Sequence, residues 1–258
     1  MRIIKHDLSS ELETLELYPL ADMHLEDRLH DKKRSSQWLK EVTAQDNRFV
    51  ICNGDLLNMA IKDSVSDSYG QRHTPDEAID KLVEFLEPIK HKILAIDEGN
   101  HEARIYKSVG INILQRVAKE IGIEKVYSPG AFLLFISFGK SQGRNCRKMV
   151  YSIYTKHGSG GGGKPGGKLN RLVAMSETID ADVYIHSHTH DPVIRPGLFY
   201  RCDYRNKKVT PVEKMFVNTN AFLLHGGYGE EFGFNPVSTR YPKLIFNGRE
   251  PKISAMFD

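Results

Sequence analysis

The chain has 258 residues, 40% hydrophobic and 27% charged, with a mean hydropathy of −0.42, the profile of a globular protein rather than a fibrous or disordered one. A net charge of +3 is too small to mark a nucleic-acid binder by composition. No apolar run approaches the roughly 20 residues needed to cross a bilayer, and Met1 to Asp7 lacks a signal-peptide core; the expectation is a cytoplasmic protein without a membrane partner, one domain over residues 1–258.

In chain order, Thr14 to Leu20 alternates as a strand and runs into Ala21-Asp22-Met23-His24. If that segment stays extended, Asp22 and His24 point the same way and can grip one ion. A helix around Ser36–Val42 precedes a second strand, Arg48–Cys52, which ends in Asn53-Gly54-Asp55. Thr74-Pro75-Asp76-Glu77 is a capping box with proline at the first helical position, and Ile79, Leu82, Val83, Leu86 and Ile89 keep one apolar face. The strand Lys92–Ile96 follows and releases Asp97-Glu98-Gly99-Asn100-His101-Glu102-Ala103-Arg104. Strand, helix, strand, helix, strand predicts βαβ units and a parallel sheet. After Arg104 a helix carries Ile113, Leu114, Val117 and Ile121, closed by Gly122.

The second half changes character. Ala131–Phe138 and Met149–Thr155 read as strands joined by a basic turn with Gly143, Arg144, Arg147 and Lys148. The second strand ends at His157 and opens the glycine-rich stretch 158–168, followed by a helix around Leu169–Ile179. Asp182–Ile185 is a short strand running into His186-Ser187-His188-Thr189-His190, and strand-like runs recur at Lys208–Val217 and Lys243–Phe246. Cys52, Cys146 and Cys202 are odd in number and far apart, so neither a disulfide framework nor a thiolate zinc site is encoded.

Five strand ends thus carry metal-competent groups: Asp22 with His24, Asp55, Asn100 with His101, His157, and His188 with His190. Neighbouring parallel strands put their carboxyl ends on one edge, where these groups converge. Carboxylate, amide and imidazole donors without thiolate suit Mn2+, Fe or Zn2+ better than Ca2+. Asp55 is the natural bridge between two cations, since one carboxylate can hold both.

The order Asp22-x-His24, Gly54-Asp55, Gly99-Asn100-His101-Glu102, His157 and Ser187-His188-Thr189-His190 resembles the calcineurin-like metallophosphoesterases, whose pattern is D-x-H, G-D, G-N-H-[DE], H, G-H-x-H. Every ligand position from Asp22 to His190 is filled in order; the one departure is Ser187 where the family has glycine. The resemblance implies an α/β sandwich, two mixed sheets packed face to face with flanking helices and a dimetal site at the strand ends. It implies one ion at Asp22, His24, Asp55 and His190, a second at Asp55, Asn100, His157 and His188, and His101 left over as the catalytic proton donor. The two divalent ions are expected to be Mn2+, with Fe, Zn2+, Ni2+ or Mg2+ as alternatives.

The reaction implied is hydrolysis of a phosphate ester, with a phosphodiesterase or nuclease acting on DNA, RNA or nucleotides as first reading. A phosphomonoesterase, protein phosphatases included, is the second, and a non-catalytic scaffold the third. Arg104, Lys164, Lys168 and Arg171 are the candidate substrate-binding cations, and Glu102 a candidate to orient a ligand from behind. A second basic cluster, Arg201, Arg205, Lys207 and Lys208, interleaves with Phe199, Tyr200 and Tyr204; on one face it would track a polyphosphate, and scattered it is solvated surface.

Overall fold

The computed structural model describes residues 1–62, 64, 68–141, 146–160, 164–231, 233 and 235–258, the side chains of 228 and 229 excepted. Gly143 and Arg144 of the basic turn and Gly161, Gly162 and Gly163 of the glycine-rich stretch lie outside these residues. In chain order the strands are β1 Arg2–Asp7, β2 Thr14–Leu20, β3 Arg48–Asn53, β4 Ile93–Asp97, β5 Tyr127–Ser128, β6 Phe132–Phe138, β7 Met149–Lys156, β8 Val183–His186, β9 Val193–Asp203, β10 Lys208–Asn218, β11 Pro242–Asn247 and β12 Ile253–Phe257. The helices are α1 Lys32–Thr43, α2 Pro75–Leu86, α3 Asn100–Val109, α4 Ile113–Glu120, α5 Pro165–Ala174 and the single turn α6 Tyr228–Glu231.

The chain forms an α/β sandwich of two mixed six-stranded sheets, in the orders β1-β6-β7-β8-β10-β9 and β12-β11-β2-β3-β4-β5. β2, β3 and β4 are parallel through the crossovers α1 and α2, as the βαβ pattern predicts. In the other sheet β7, β8 and β10 are parallel. Leu17, Ile51, Phe132, Leu134, Ile153, Val217 and Phe246 fill the space between the sheets. Trp38, Leu82, Leu86, Leu114 and Val117 seal the helices against the outer face of the β2–β4 sheet, and Leu172 seals α5 against Tyr184 and Phe216 on the other. The burial of β6 alternates strictly, as expected of a strand with one face in the core.

Several elements escape the sequence reading, β1, β9 and α3 among them. β1 carries Arg2, Lys5, His6 and Asp7 and pairs only with β6, so an edge position permits its polar residues. β9 contains Pro196 and Gly197, which read as breakers, yet it is the outer strand and its proline needs no second partner. α3 begins at Asn100, so what reads as a polar turn before a helix is itself the first helical turn.

Phe246 is fully buried and meets Tyr151 at 5.0 Å between ring centroids. Phe246→Ala is expected to cost about 3–5 kcal/mol of stability. Equilibrium denaturation checks this, and a loss below about 1 kcal/mol contradicts the placement of the inter-sheet core.

Candidate metal centre

Strand ends bring the polar groups together, but the backbone that does so is not extended. Asp22, His24, Asp55, His188 and His190 all take left-handed conformations, with φ between 46° and 67°. The extended geometry expected for Asp22-Met23-His24 is therefore corrected: β2 stops at Leu20, and alternate left-handed residues turn both side chains inward. Such conformations cost roughly 1–3 kcal/mol each and persist only where the surroundings fix them. Here they are fixed by amides: Asp22 donates to Gly54 O at 3.1 Å, Met23 to Asp55 O at 2.8 Å, and Phe222 to Asp22 O at 2.9 Å.

Gly54, itself at φ 76°, and Gly99 let the β3 and β4 turns touch. A Cβ on Gly54 would lie 2.4 Å from Gly99 N, and one on Gly99 would lie 2.1 Å from Asp55 Oδ1. Against this contact sits Glu102, fully buried in the first turn of α3. Its carboxylate accepts from the amides of Asp55, Leu57 and Gly99, each at 3.0 Å. Burial and the Asp55 carboxylate push its pKa up to about 8, while these amides favour the ionised form. Glu26 repeats the device nearby, accepting from Asn58 N at 2.6 Å and Met59 N at 3.0 Å. Its position two residues after His24 gave no sign of this.

Three groups of ligand atoms result, each within 4.8 Å: Asp22, His24 and His190; Asp55, His157 and His188; and His24, Asp55 and His101. His190 Nε2 lies 3.2 Å from Asp22 Oδ1 and 3.4 Å from His24 Nε2. His157 Nδ1 is held by Asn53 O at 2.7 Å, which turns Nε2 inward to 3.0 Å from Asp55 Oδ2. His101 Nδ1 is held by Asn58 O at 2.7 Å, leaving Nε2 3.8 Å from Asp55 Oδ2. The His101 amide at the start of α3 donates to Asp55 Oδ1 at 2.8 Å. Asn100 stands exposed at the first position of that helix.

Whether cations fit is decided by the donor set and two orphaned atoms. Asp22 Oδ1 and His157 Nε2 are buried without a hydrogen-bond partner, a costly state for polar atoms facing each other across 4.0 Å. Burial opposes ionisation of Asp55, but His157, His101 and His24 hold its carboxyl well below the usual range. Burial lowers the pKa of His24 and His101, and burial with His157 lowers His188 to about 4. Burial also works against a proton on His157, yet Asp55 and Asp22 raise it to about 10. Ionised carboxylates beside mostly neutral imidazoles are the state that divalent cations require.

Behind the donors, Ser187 makes a specific contribution. Buried and hydrogen-bonded to Asn53 at 2.6 Å, it also accepts from Thr219 Oγ1 at 2.8 Å, so its hydroxyl ties the ends of β3, β8 and β10. His188 N donates to Asp22 Oδ2 at 3.0 Å, joining the two sheets at the same level.

The expected substrate cations divide. Lys168 pairs with Asp191 at 3.4 Å, and Arg171 donates to Ser159 O at 2.7 Å and to Gly160 O. Both are engaged in holding the glycine-rich loop and the strand end. Lys164 is exposed at the N-cap of α5, and Arg104, on α3, keeps a buried Nη1 without a partner.

No family model and no curated protein matches the sequence. Solved structures with a similar chain path include a predicted phosphoesterase of Streptococcus pneumoniae (10% identity, TM-score 0.37, covering 95% of this chain and 98% of that one). A single mutant of Vps29 from Entamoeba histolytica is similar at 13% identity and TM-score 0.40, over 95% and 99% of the two chains. The nuclease MPE of Pseudomonas putida is similar at 12% and 0.36, over 93% and 87%. These likenesses concern the fold; the chemistry is read from the residues above.

Glu102→Gln retains the shape of the side chain but leaves one carbonyl oxygen for three amides. It is expected to weaken divalent-metal binding about 10- to 100-fold, measured by titration of metal-free protein. Metal affinity equal to the parent's would show that Glu102 does not organise the centre.

Proposed function

We propose that the chain is a dimetal phosphoesterase of the calcineurin-like type, acting on phosphodiesters of nucleic acid or nucleotides. The observation that carries this reading is the pair of donor groups, Asp22-His24-His190 and Asp55-His157-His188, with Asp22 Oδ1 and His157 Nε2 buried between them without a hydrogen-bond partner. Asp22, His24, Asp55 and His190 would hold one divalent ion, and Asp55, Asn100, His157 and His188 the other, with Mn2+ the expected metal. Such ions supply Lewis acidity toward the phosphoryl oxygens and acidify bound water toward neutral pH.

The protein's own groups do the rest. The hydrogen bonds from His157 to Asn53 and from His101 to Asn58 fix both rings by Nδ1, so that each Nε2 faces the centre. Asp55 is locked by its amide on Glu102 and by the His101 amide on its Oδ1, which orients it as a bridge. His101, once its ring takes up a second proton, would hold that proton on Nε2 toward a leaving oxygen, a role worth roughly 10²–10⁴ in rate.

Charge at the mouth supports a diester. With Lys168 committed to Asp191 and Arg171 to backbone carbonyls, Arg104 is the one of the four expected substrate cations whose charge acts on Asp55, and Lys164 is exposed at the start of α5. A monoester dianion calls for more compensation than a diester, which carries a single charge per phosphate.

With Mn2+, purified protein is expected to hydrolyse bis-p-nitrophenyl phosphate and DNA in preference to p-nitrophenyl phosphate. Faster turnover of the monoester would overturn the diesterase reading, and no turnover of any ester would overturn the enzyme. His101→Asn is expected to lower turnover of DNA about 10²- to 10⁴-fold. The loss should be smaller for p-nitrophenyl esters, whose leaving group needs no proton, and two metals should remain by elemental analysis. Loss of a metal in that variant would make His101 a ligand instead.

A further inference from the structure

Every residue from Tyr200 to Pro211 is exposed, so the outer halves of β9 and β10 form a two-stranded ribbon with both faces in solvent. At its base Phe199 packs against the Tyr184–Phe216 cluster and Val212 is half-buried. The ribbon's root is rigid: Asn218 donates to Thr189 Oγ1 at 2.8 Å and Asp191 O at 2.6 Å, and its Oδ1 meets His186 Nδ1 at 2.8 Å. Ten residues of strand separate that root, beside the donor groups, from Lys208 at the tip, a reach of about 33 Å.

Charge singles out this element. Residues 200–211 hold Arg201, Arg205, Lys207 and Lys208 against Asp203 alone, a surplus of three that equals the net charge of the whole chain. The rest of the molecule is neutral in sum, so the net surplus equals the charge carried by this one ribbon. Arg201 has a distant, exposed pairing with Asp180 at 3.6 Å, which is worth little in water. Arg205 and Lys207 share the turn with Tyr204, which is 94% exposed, and Tyr200 is 67% exposed. Cations at the spacing of a few residues beside uncovered aromatic rings match a polyanion that has flat faces to stack.

We propose that the β9–β10 ribbon is a docking arm for single-stranded nucleic acid. The Arg201, Arg205, Lys207 and Lys208 side chains contact phosphates, and Tyr204 stacks on a base. The arm goes beyond the hydrolytic reading and does not require it, because binding is independent of the metals. It also explains how a chain of low net charge can select a long polyanion: only a ligand that extends some 33 Å from the donor groups reaches the tip.

The test is fluorescence anisotropy of the full chain in EDTA with a labelled oligodeoxythymidine of about 30 nucleotides, read as a function of salt. The triple variant Arg205→Gln, Lys207→Gln, Lys208→Gln is expected to bind at least about tenfold more weakly, with a salt slope lower by about 2 at ~0.7 per phosphate contact. Tyr204→Ala is expected to weaken binding about tenfold without changing the slope. Both should melt like the parent and hydrolyse bis-p-nitrophenyl phosphate at the parent rate. Unchanged affinity and slope in the triple variant overturn the arm, as does tighter binding of the matching duplex. If the parent sediments as a dimer and the triple variant as a monomer, the ribbon joins copies of the chain and the proposal fails. Binding that behaves as expected in a protein with no hydrolytic activity leaves the arm standing and removes the phosphoesterase.

Discussion

Three backbone amides converge on one buried carboxylate, and the centre depends on that arrangement. Glu102 accepts from Asp55, Leu57 and Gly99, so one side chain holds the turn after β3, the turn after β4 and the start of α3 in one position. The contact is possible only because Gly54 and Gly99 have no Cβ to separate the two turns. With the turns touching, the His101 amide in the first turn of α3 donates to Asp55, and the positive end of the helix favours its ionised form.

The same compression explains the strain. Five of the donor-bearing residues lie in left-handed conformations, a combined cost on the order of 5–15 kcal/mol, comparable with the stability of an ordinary domain. Backbone hydrogen bonds between neighbouring loops offset part of it, and the two buried carboxylates, Asp22 and Asp55, which His157 compensates only in part, add an electrostatic demand that a cation meets. Strain and unpaired acceptors thus coincide at one place, where folding has been biased toward a site at the expense of local comfort.

Much of this was legible in the sequence, for identifiable reasons. Strands β2, β3, β4, β7 and β8 end in or run directly into acidic, imidazole or glycine residues, and parallel neighbours within each of the two sheets put such ends on the same edge, so the donors could be named before their geometry was known. The left-handed backbone at Asp22 and His24 could not be named, because no glycine marks it. Glu102 read only as a residue behind the ligands; its Gly99 partner is local, but the amides of Asp55 and Leu57 lie 47 and 45 residues away in sequence, and contacts of that separation leave no local pattern. Lys168 and Arg171 read as substrate cations because their partners, Asp191 and the carbonyls of Ser159 and Gly160, are set by the loop fold and not by spacing. Ser187 read as a tolerated change from glycine, whereas its hydroxyl ties three strand ends.

The functional account joins a strained pocket of oxygen and imidazole donors, two rings held by Nδ1, and a distant basic ribbon rooted in the strand that follows the last two histidines. Its central claim is that the pocket holds two ions bridged by Asp55. The most direct measurement is anomalous diffraction from crystals grown with Mn2+. The account predicts two peaks about 3.5–4 Å apart, one against Asp22, His24 and His190 and one against His157 and His188, with Asp55 touching both. A single peak, or ions bound away from Asp55, would contradict it.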